Sequence, residues 1–525
     1  VPPRPPYISI ELTFVKCKSV EYIVFPTMVL RAGTPACTYG EGRDLDERVR
    51  SRESALEPTV RETTIGLSTV AFSLVLPIIV GLAAAFAVFR NHYDVVVNFG
   101  DESSRNPSSG APSVVDVADA PGPSPSPAPS SSSSPTTQAA RTRVHAPNPL
   151  PQTISPSYTI LQTIEGYDND HAGFSTSFSS DGAFMAVGSK GANGVVSSSG
   201  IAQVYRLNDS TWSNFGNLIS GYASMDEFGS SLSISDDGWR LAVGARNNSD
   251  GGVSSGNVQI FQYYEQSNDW EQIGHTILGE PRNRAGFSVA ISGDGNRIAV
   301  GAPRGGSDTG SVRIFGFDGK NWDPIGQELF GDGHQVLGGY SCSLSRDGNT
   351  VAMSVPRSNR QGLQKNGHVS IFRLFQMEGS PSWQKVGDDI IGEHSGDQNG
   401  MSVDLSADGM LVAIGANGFD YNGVNNVGYC RVFRNEGRSW VKLGTSIRGN
   451  LHDEQSGFSI SLSGDGRWIA CGGANSPLHG FRSGVVRVYR YIEDENNWIQ
   501  IGGELSSDAG AAFGHSVSLS ENGAY

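Results

Sequence analysis

Arginines, carboxylates and a few aromatics recur in this chain at equivalent places, and ligand recognition is the chemistry they could do. One set comprises Asp168, Asp170, Asp226, Glu227, Asp332, Glu393, Asp397, Asp453 and Glu454; a second comprises Arg246, Arg304, Asp308, Arg357, Arg360, Asp420, Tyr421, Phe481 and Arg482. Both lie in Gly/Ser/Asn-rich stretches, and loops held on a rigid frame commonly carry recognition. Catalytic constellations are harder to find. No H-E-x-x-H run and no P-loop occur. His171, His334, His394 and His452 fall in equivalent stretches beside acids and read as solvated loop histidines. Acid pairs such as Asp226/Glu227 or Asp453/Glu454 would serve glycoside hydrolysis only if two carboxyls converged at about 5–9.5 Å, and nothing in the sequence brings two together. The expectation is a binding protein and not an enzyme. A hydrolase of surface polysaccharide, or a structural scaffold without a soluble ligand, are the alternatives.

A repeat supplies the elements that must position these loops. The run S-x-D-G-x-x-x-A-V-G returns with its Asp at Asp181, Asp237, Asp294, Asp347, Asp408 and Asp465, and Asn522 takes the same place. Intervals of 53 to 61 residues mark one supersecondary unit copied and stacked. Four short strands can be read in each unit. The first is an F-G-x-S run such as 228–235 or 458–463, closed by a D-G turn whose Gly accepts a positive φ. The second is the apolar run Leu241-Ala242-Val243-Gly244-Ala245 and its copies. The third is G-x-V-x-I/V-F/Y, as at 256–261 and 484–489, and the fourth starts near Trp212, Trp270, Trp322, Trp383, Trp440 or Trp498. Short Val-, Ile- and aromatic-rich runs split by Gly/Asp turns form antiparallel blades, and blades in a ring form a β-propeller.

Counting 158–166 as an outer strand gives seven copies, so the expectation is an all-β, seven-bladed β-propeller over 158–525 whose last blade lacks two strands. With Val1 at one end and the seventh turn at the other, the chain is expected to be a fragment at both ends. In such a ring, the loops from strand four to the next strand one share a face with those between strands two and three. The expected binding residues on this long-loop face are Asp226, Glu227, Arg246, Arg304, Asp308, Arg357, Arg360, Asp420, Tyr421, Phe481 and Arg482. Short D-G turns occupy the other face.

The pattern running from Gly286-Phe287 through Asp294-Gly295 to Val300-Gly301-Ala302-Pro303 resembles the FG-GAP repeat of the integrin-alpha head. The chain is similar to single-pass FG-GAP membrane proteins of diatoms and related algae. That resemblance implies a propeller and points to the long-loop face for binding. One departure matters: the calcium loop of such repeats needs six to eight oxygens, whereas here Met185, Leu241, Ile298, Val351, Val412 and Ile469 close the loop with an apolar side chain. The D-G turns therefore read as structural hairpins, with no metal and no cofactor expected.

Outside the repeats, residues 65–89 are uncharged and rich in Leu, Val, Ala and Ile, long enough to cross the roughly 30 Å hydrocarbon core of a membrane. Arg48, Arg50, Arg52 and Arg61 outnumber Arg90 and Arg105 across this segment, which favours a cytosolic N-terminal region (1–64) and a propeller outside the plasma membrane. Residues 90–157 are dense in Ser and Pro and read as a disordered stalk. Asn208 and Asn247 open N-x-S sequons. A net charge of −15 argues against nucleic acid, leaving an extracellular protein or glycan as the expected partner. Cys342, Cys430 and Cys471 sit on different strands of different blades, where a disulfide is not expected because Cα atoms must come within about 7 Å.

Overall fold

Each sheet folds back at its D-G turn, and the turn makes its own hydrogen bonds. Asp237 Oδ1 accepts from Trp239 N at 3.0 Å and from Ser235 Oγ at 2.5 Å, while Ser235 Oγ accepts from Arg240 N at 3.0 Å. Asn522 repeats this with Ser520 Oγ at 3.0 Å and Ala524 N at 2.8 Å. The turn acids are thus committed to the hairpin, and the apolar residue that follows enters a buried strand, as Leu241 does.

The computed structural model describes residues 9–17, 94–95, 157–377 and 379–525. Six antiparallel sheets follow one another along the chain, each of four strands in sequence order, with a short fifth strand added beside the third in four of them. The second of them runs Phe228–Ile234, Arg240–Ala245, Asn257–Tyr264 and Asp269–Gln272 from the axis outward. Its second strand is buried at every position but the first, which explains the unbroken apolar run. Between the second and third blades, Val258, Ile260, Ile298, Val300 and Trp322 pack as one cluster, so the core is divided into layers between neighbouring blades.

The motif residues are interface residues. The Gly of A-V-G lies against the Gly of the next F-G: a Cβ on Gly244 would overlap the carbonyl of Gly286, whose own φ is +78°. Ser231 Oγ donates to that same carbonyl at 2.8 Å, and Ser459 Oγ does so to Gly514 O at 2.8 Å. Two residues further on, Ser233 Oγ accepts from Ile291 N and Ser343 Oγ from Leu405 N, both at 3.1 Å. At the rim, Trp322 Nε1 donates to Ile273 O at 3.1 Å and Trp498 Nε1 to Leu443 O at 2.9 Å.

Closure is made on the axis. Backbone N–H groups pass hydrogen bonds from copy to copy: Ser180 to Asp236, Asp236 to Gly293, Gly293 to Arg346, Arg346 to Ala407 and Ala407 to Gly464, at 2.8–3.2 Å. Asp465 N then donates to Glu521 O at 3.2 Å, and Glu521 N returns to Ser180 O at 2.9 Å. Residues 513–525 complete the circle, with Thr176 N donating to Ser516 Oγ and Phe178 N to Ser518 Oγ, each at 3.1 Å.

Two expectations are corrected. The ring has six four-stranded blades and not seven, because the seventh motif has no second strand to pair with and contributes an inner segment alone. Segment 158–166, counted as its outer strand, belongs to Ser157–Gly166, which pairs in parallel with Ser9–Cys17; that strand in turn pairs with Asp94–Val95. The expected transmembrane helix falls on 65–89, which lies outside the described residues; among the described residues no helix is long and apolar enough to cross a membrane. Most of the 90–157 stalk and of region 1–64 also lies outside the described residues. Finally, Cys430 and Cys471 form a disulfide between the fifth and sixth blades. The third strand of one blade and the second strand of the next lie close enough to bring these Cα atoms to 6.5 Å.

The glycine contact can be tested directly. Gly244→Ala should cost about 2 kcal/mol or more in denaturant unfolding, since backbone must move apart to admit the methyl. Gly503→Ala, with nothing within 4 Å of a Cβ, should stay within about 0.5 kcal/mol of the parent.

Candidate functional site

The seven inner segments enclose an axial cavity of about 420 Å³. Its walls are the serine-rich F-G-x-S runs, and its depth is set by the repeat register. Seven residues before each turn Asp or Asn stands Phe174, Ser230, Phe287, Tyr340, Met401, Phe458 or His515, all lining the cavity near its mouth. His515 packs between Phe174 and Phe458, with ring centroids 4.5 and 5.0 Å away. Burial, followed by the Lys190, Arg246 and Arg482 charges, pushes its pKa down to about 3, so the ring is neutral at pH 7.

The mouth lies on the long-loop face. Arg246 extends over Phe174 and Phe287, its guanidinium carbon 5.2 and 5.0 Å from their centroids, and its Nε donates to Glu227 Oε2 at 2.5 Å. Lys190, at the equivalent place one blade earlier, holds its Nζ 3.8 Å from the Phe174 centroid. Burial alone would raise the Glu227 carboxyl; Arg246, Lys190 and Arg284 outweigh it and hold the group below its ordinary value. Arg284 is itself pressed below the usual range by burial and by the Arg304 and Arg246 charges. Arg357 acts with Arg246 on Tyr340, which burial nevertheless raises.

The opposite end is a floor. Arg346 bridges Asp236 and Glu521 across the axis, and Ser180 Oγ donates to Glu521. Just above it, Asp404 stands where most other copies place Ser. Its carboxylate accepts from Leu462 N at 2.8 Å, Leu405 N at 3.0 Å, Ser343 Oγ at 3.1 Å and Ser461 Oγ at 3.4 Å. Burial outweighs these bonds and lifts its pKa to about 6.

The expected site residues sort into three groups. Glu227, Arg246, Arg304, Arg357 and Arg482 gather at the mouth through the contacts and charges just described; Arg482 Nε also donates to Asn475 Oδ1 at 3.0 Å. The loop acids mostly turn inward. Asp226 accepts from Asn248 Nδ2 at 2.9 Å, with burial raising its carboxyl, and Glu454 is buried against Arg487 at 2.5 Å. The rest stand elsewhere. Asp308 is in the turn Gly305–Asp308, Asp420 accepts from Asn426 N at 2.7 Å, Tyr421 lies under Arg448, and Phe481 is 75% exposed on the sixth blade. Arg360 is drawn into ion pairs with Asp332 and Asp389 (3.1 Å to the latter).

That last network contains a Ser–His–Asp order that the sequence did not suggest. Ser358 Oγ meets His368 Nδ1 at 2.6 Å, and His368 Nε2 lies 3.6 Å from Asp332. Ser358 and His368 are only 1% and 2% exposed, so no substrate reaches the hydroxyl. Burial, against the pull of Asp389 and Asp332, lowers the His368 pKa to about 4.

Residues 212–261, from the outer strand of the first blade to the third strand of the second, match the FG-GAP repeat family. The chain carries an FG-GAP β-propeller. No curated protein matches it significantly. Solved structures similar to this FG-GAP propeller include the periplasmic gluconolactonase PpgL of Pseudomonas aeruginosa, at 15% identity and TM-score 0.44, covering 67% of this chain and 88% of that one. The hydrazine synthase of Kuenenia stuttgartiensis gives 12% identity and TM-score 0.41, covering 67% and 90%. Likenesses at these scores carry nothing about activity to the FG-GAP propeller.

Lys190, Arg284, the aromatic ring and Asp404 escaped the sequence reading. The signal was register: counting back seven residues from each turn would have aligned the ring, and counting on from each A-V-G would have paired Lys190 with Arg246. Asp404 yields a pH test. With its folded pKa above the ordinary value of 3.8, its ionisation opposes the fold, so stability is lost as pH rises from about 4 to about 6. Asp404→Ser should therefore be the more stable protein at pH 7, by about 1–3 kcal/mol, with the difference vanishing below about pH 4 in urea unfolding.

Proposed function

We propose that this FG-GAP propeller is a recognition module that binds a protein or glycan ligand through its long-loop face. The observation that carries this reading is the inequality of the two ends of the axis. At the short-turn end, backbone hydrogen bonds and the Arg346 bridges close the ring. At the other end a cavity opens among aromatics, serines and arginines, the usual make-up of a small-ligand or anchor site. The Cys430–Cys471 disulfide favours an oxidising, extracellular setting, because such bonds persist there and are rare in the cytosol. Asn208, exposed beside the Ile201–Asn208 strand end, is the better presented of the two sequons for that route.

Hydrolysis is the weaker reading. Among the described residues Asp404 is the one carboxyl lining the cavity, and four hydrogen bonds hold it in place. A glycosidase pair at about 5–9.5 Å is not built there.

Binding of the purified chain to arrays of glycans and cell-surface proteins, followed by substitution, tests the reading. Tyr421→Ala with Phe481→Ala and Arg357→Ala should weaken the captured ligand by about tenfold or more, the usual weight of aromatic and Arg anchors. Lys320→Ala, on an exposed hairpin of the short-turn face, should leave it unchanged. The reverse pattern would defeat the assignment. The disulfide has its own check: replacing both Cys430 and Cys471 by Ser should cost about 2–4 kcal/mol more in oxidising buffer than in excess reductant.

A further inference from the structure

Deepening that reading and resting on it, we infer that the axial cavity takes an anionic sugar, a pyranose bearing carboxylate or sulfate, at the mouth. Three features of the molecule converge on this class.

The first is charge. The sequence carries 53 acids against 38 Lys and Arg, yet the mouth is cationic. Arg246 lines the cavity; Lys190 and Arg284 act with it on Glu227, Arg357 on Tyr340 and Lys190 and Arg482 on His515, while Arg304 acts on Arg284. The acids that the loops also contain are turned away: Asp226 to Asn248, Glu454 to Arg487, Asp332 to Arg360 and Asp397 to the backbone of His394 at 2.9 Å. A concave site with one sign of charge and low-dielectric walls concentrates the opposite charge. Guanidinium forks match carboxylate and sulfate oxygens.

The second is the wall. Phe287, Tyr340 and Phe458 line the cavity, and aromatic walls suit the C–H face of a pyranose while its hydroxyls meet polar groups. Serines follow at every copy, among them Ser231, Ser341 and Ser516. The third is size and shape. About 420 Å³ above a closed floor holds roughly one or two sugar rings. An acidic peptide strand, which needs length along a surface, is the poorer fit.

Arg304 and Arg357 are exposed, and their substitution leaves the channel walls intact. Titration calorimetry on the full chain would use four probes: an oligogalacturonate, its neutral methyl ester, a sulfated galactan oligosaccharide and an oligoglutamate peptide. The expected result is binding of one or both anionic sugars, none of the methyl ester, and weakening by raised salt. Arg304→Glu with Arg357→Glu should lower that affinity by about tenfold or more, while Arg304→Lys with Arg357→Lys keeps most of it. Equal binding of the methyl ester, tighter and competing binding of the peptide, or no binding of any probe would each overturn the inference. If sugars bind and respond to Tyr421→Ala and Phe481→Ala but not to the arginine pair, the inference fails while long-loop recognition stands. If no long-loop variant changes binding, both fall.

Discussion

Closure on the axis is the constraint from which the other features of this propeller follow. A circle of backbone hydrogen bonds links one residue of each motif to the next and returns from Glu521 to Ser180. Once that circle is made, the inner strands stand at a set separation, and neighbouring blades meet at backbone distance. Gly fits best where A-V-G faces F-G, although the fourth blade places Ser354 there, and a short polar side chain is needed where Ser231 or Ser233 must reach the adjoining strand. The repeated letters of the sequence are therefore a record of blade-to-blade contact more than of strand formation. Copies that depart from them, such as Ala290 in place of Ser233, give up one link of several, and the circle tolerates that.

Electrostatics then divides the loops by sign. Acids next to the inner strands accept hydrogen bonds from their own turns or pair with strand arginines, which fixes loop shape. Among the cations that emerge after the second strand, Lys190 and Arg246 lie over the aromatic ring at the cavity mouth, whereas Arg360 is drawn into ion pairs. The surface is thus organised by which charges the backbone recruits. A chain with a net charge of −15 presents a positive mouth for this reason.

How much of this was legible depends on whether the cue was periodic. The D-G turns, the buried second strand and the rim Trp recur in type and spacing, so fold class and strand order could be read from them. Blade number could not, because the motif marks turns, and a turn at Asn522 exists without a sheet of its own. The Cys430–Cys471 pairing depends on which strands of adjoining blades approach, and no spacing along one chain encodes that. The mouth was half legible. Arg246, Arg304, Arg357 and Arg482 were found by loop position, whereas Phe174, Phe287, Tyr340 and Phe458 share their place with Ser230, Met401 and His515, so no one residue type marks it. Asp226 and Arg360 looked available in sequence, but loop residues do not announce which way they point.

The floor made by Asp236, Arg346 and Glu521 has a consequence for what can be read at all. A pore admits a polymer anywhere along its length, since the chain can thread through; a well with a sealed base admits only a terminus. Water in it can leave only past the entering group, which favours narrow tips over bulky loops. A ligand that entered this axis would therefore enter by an end.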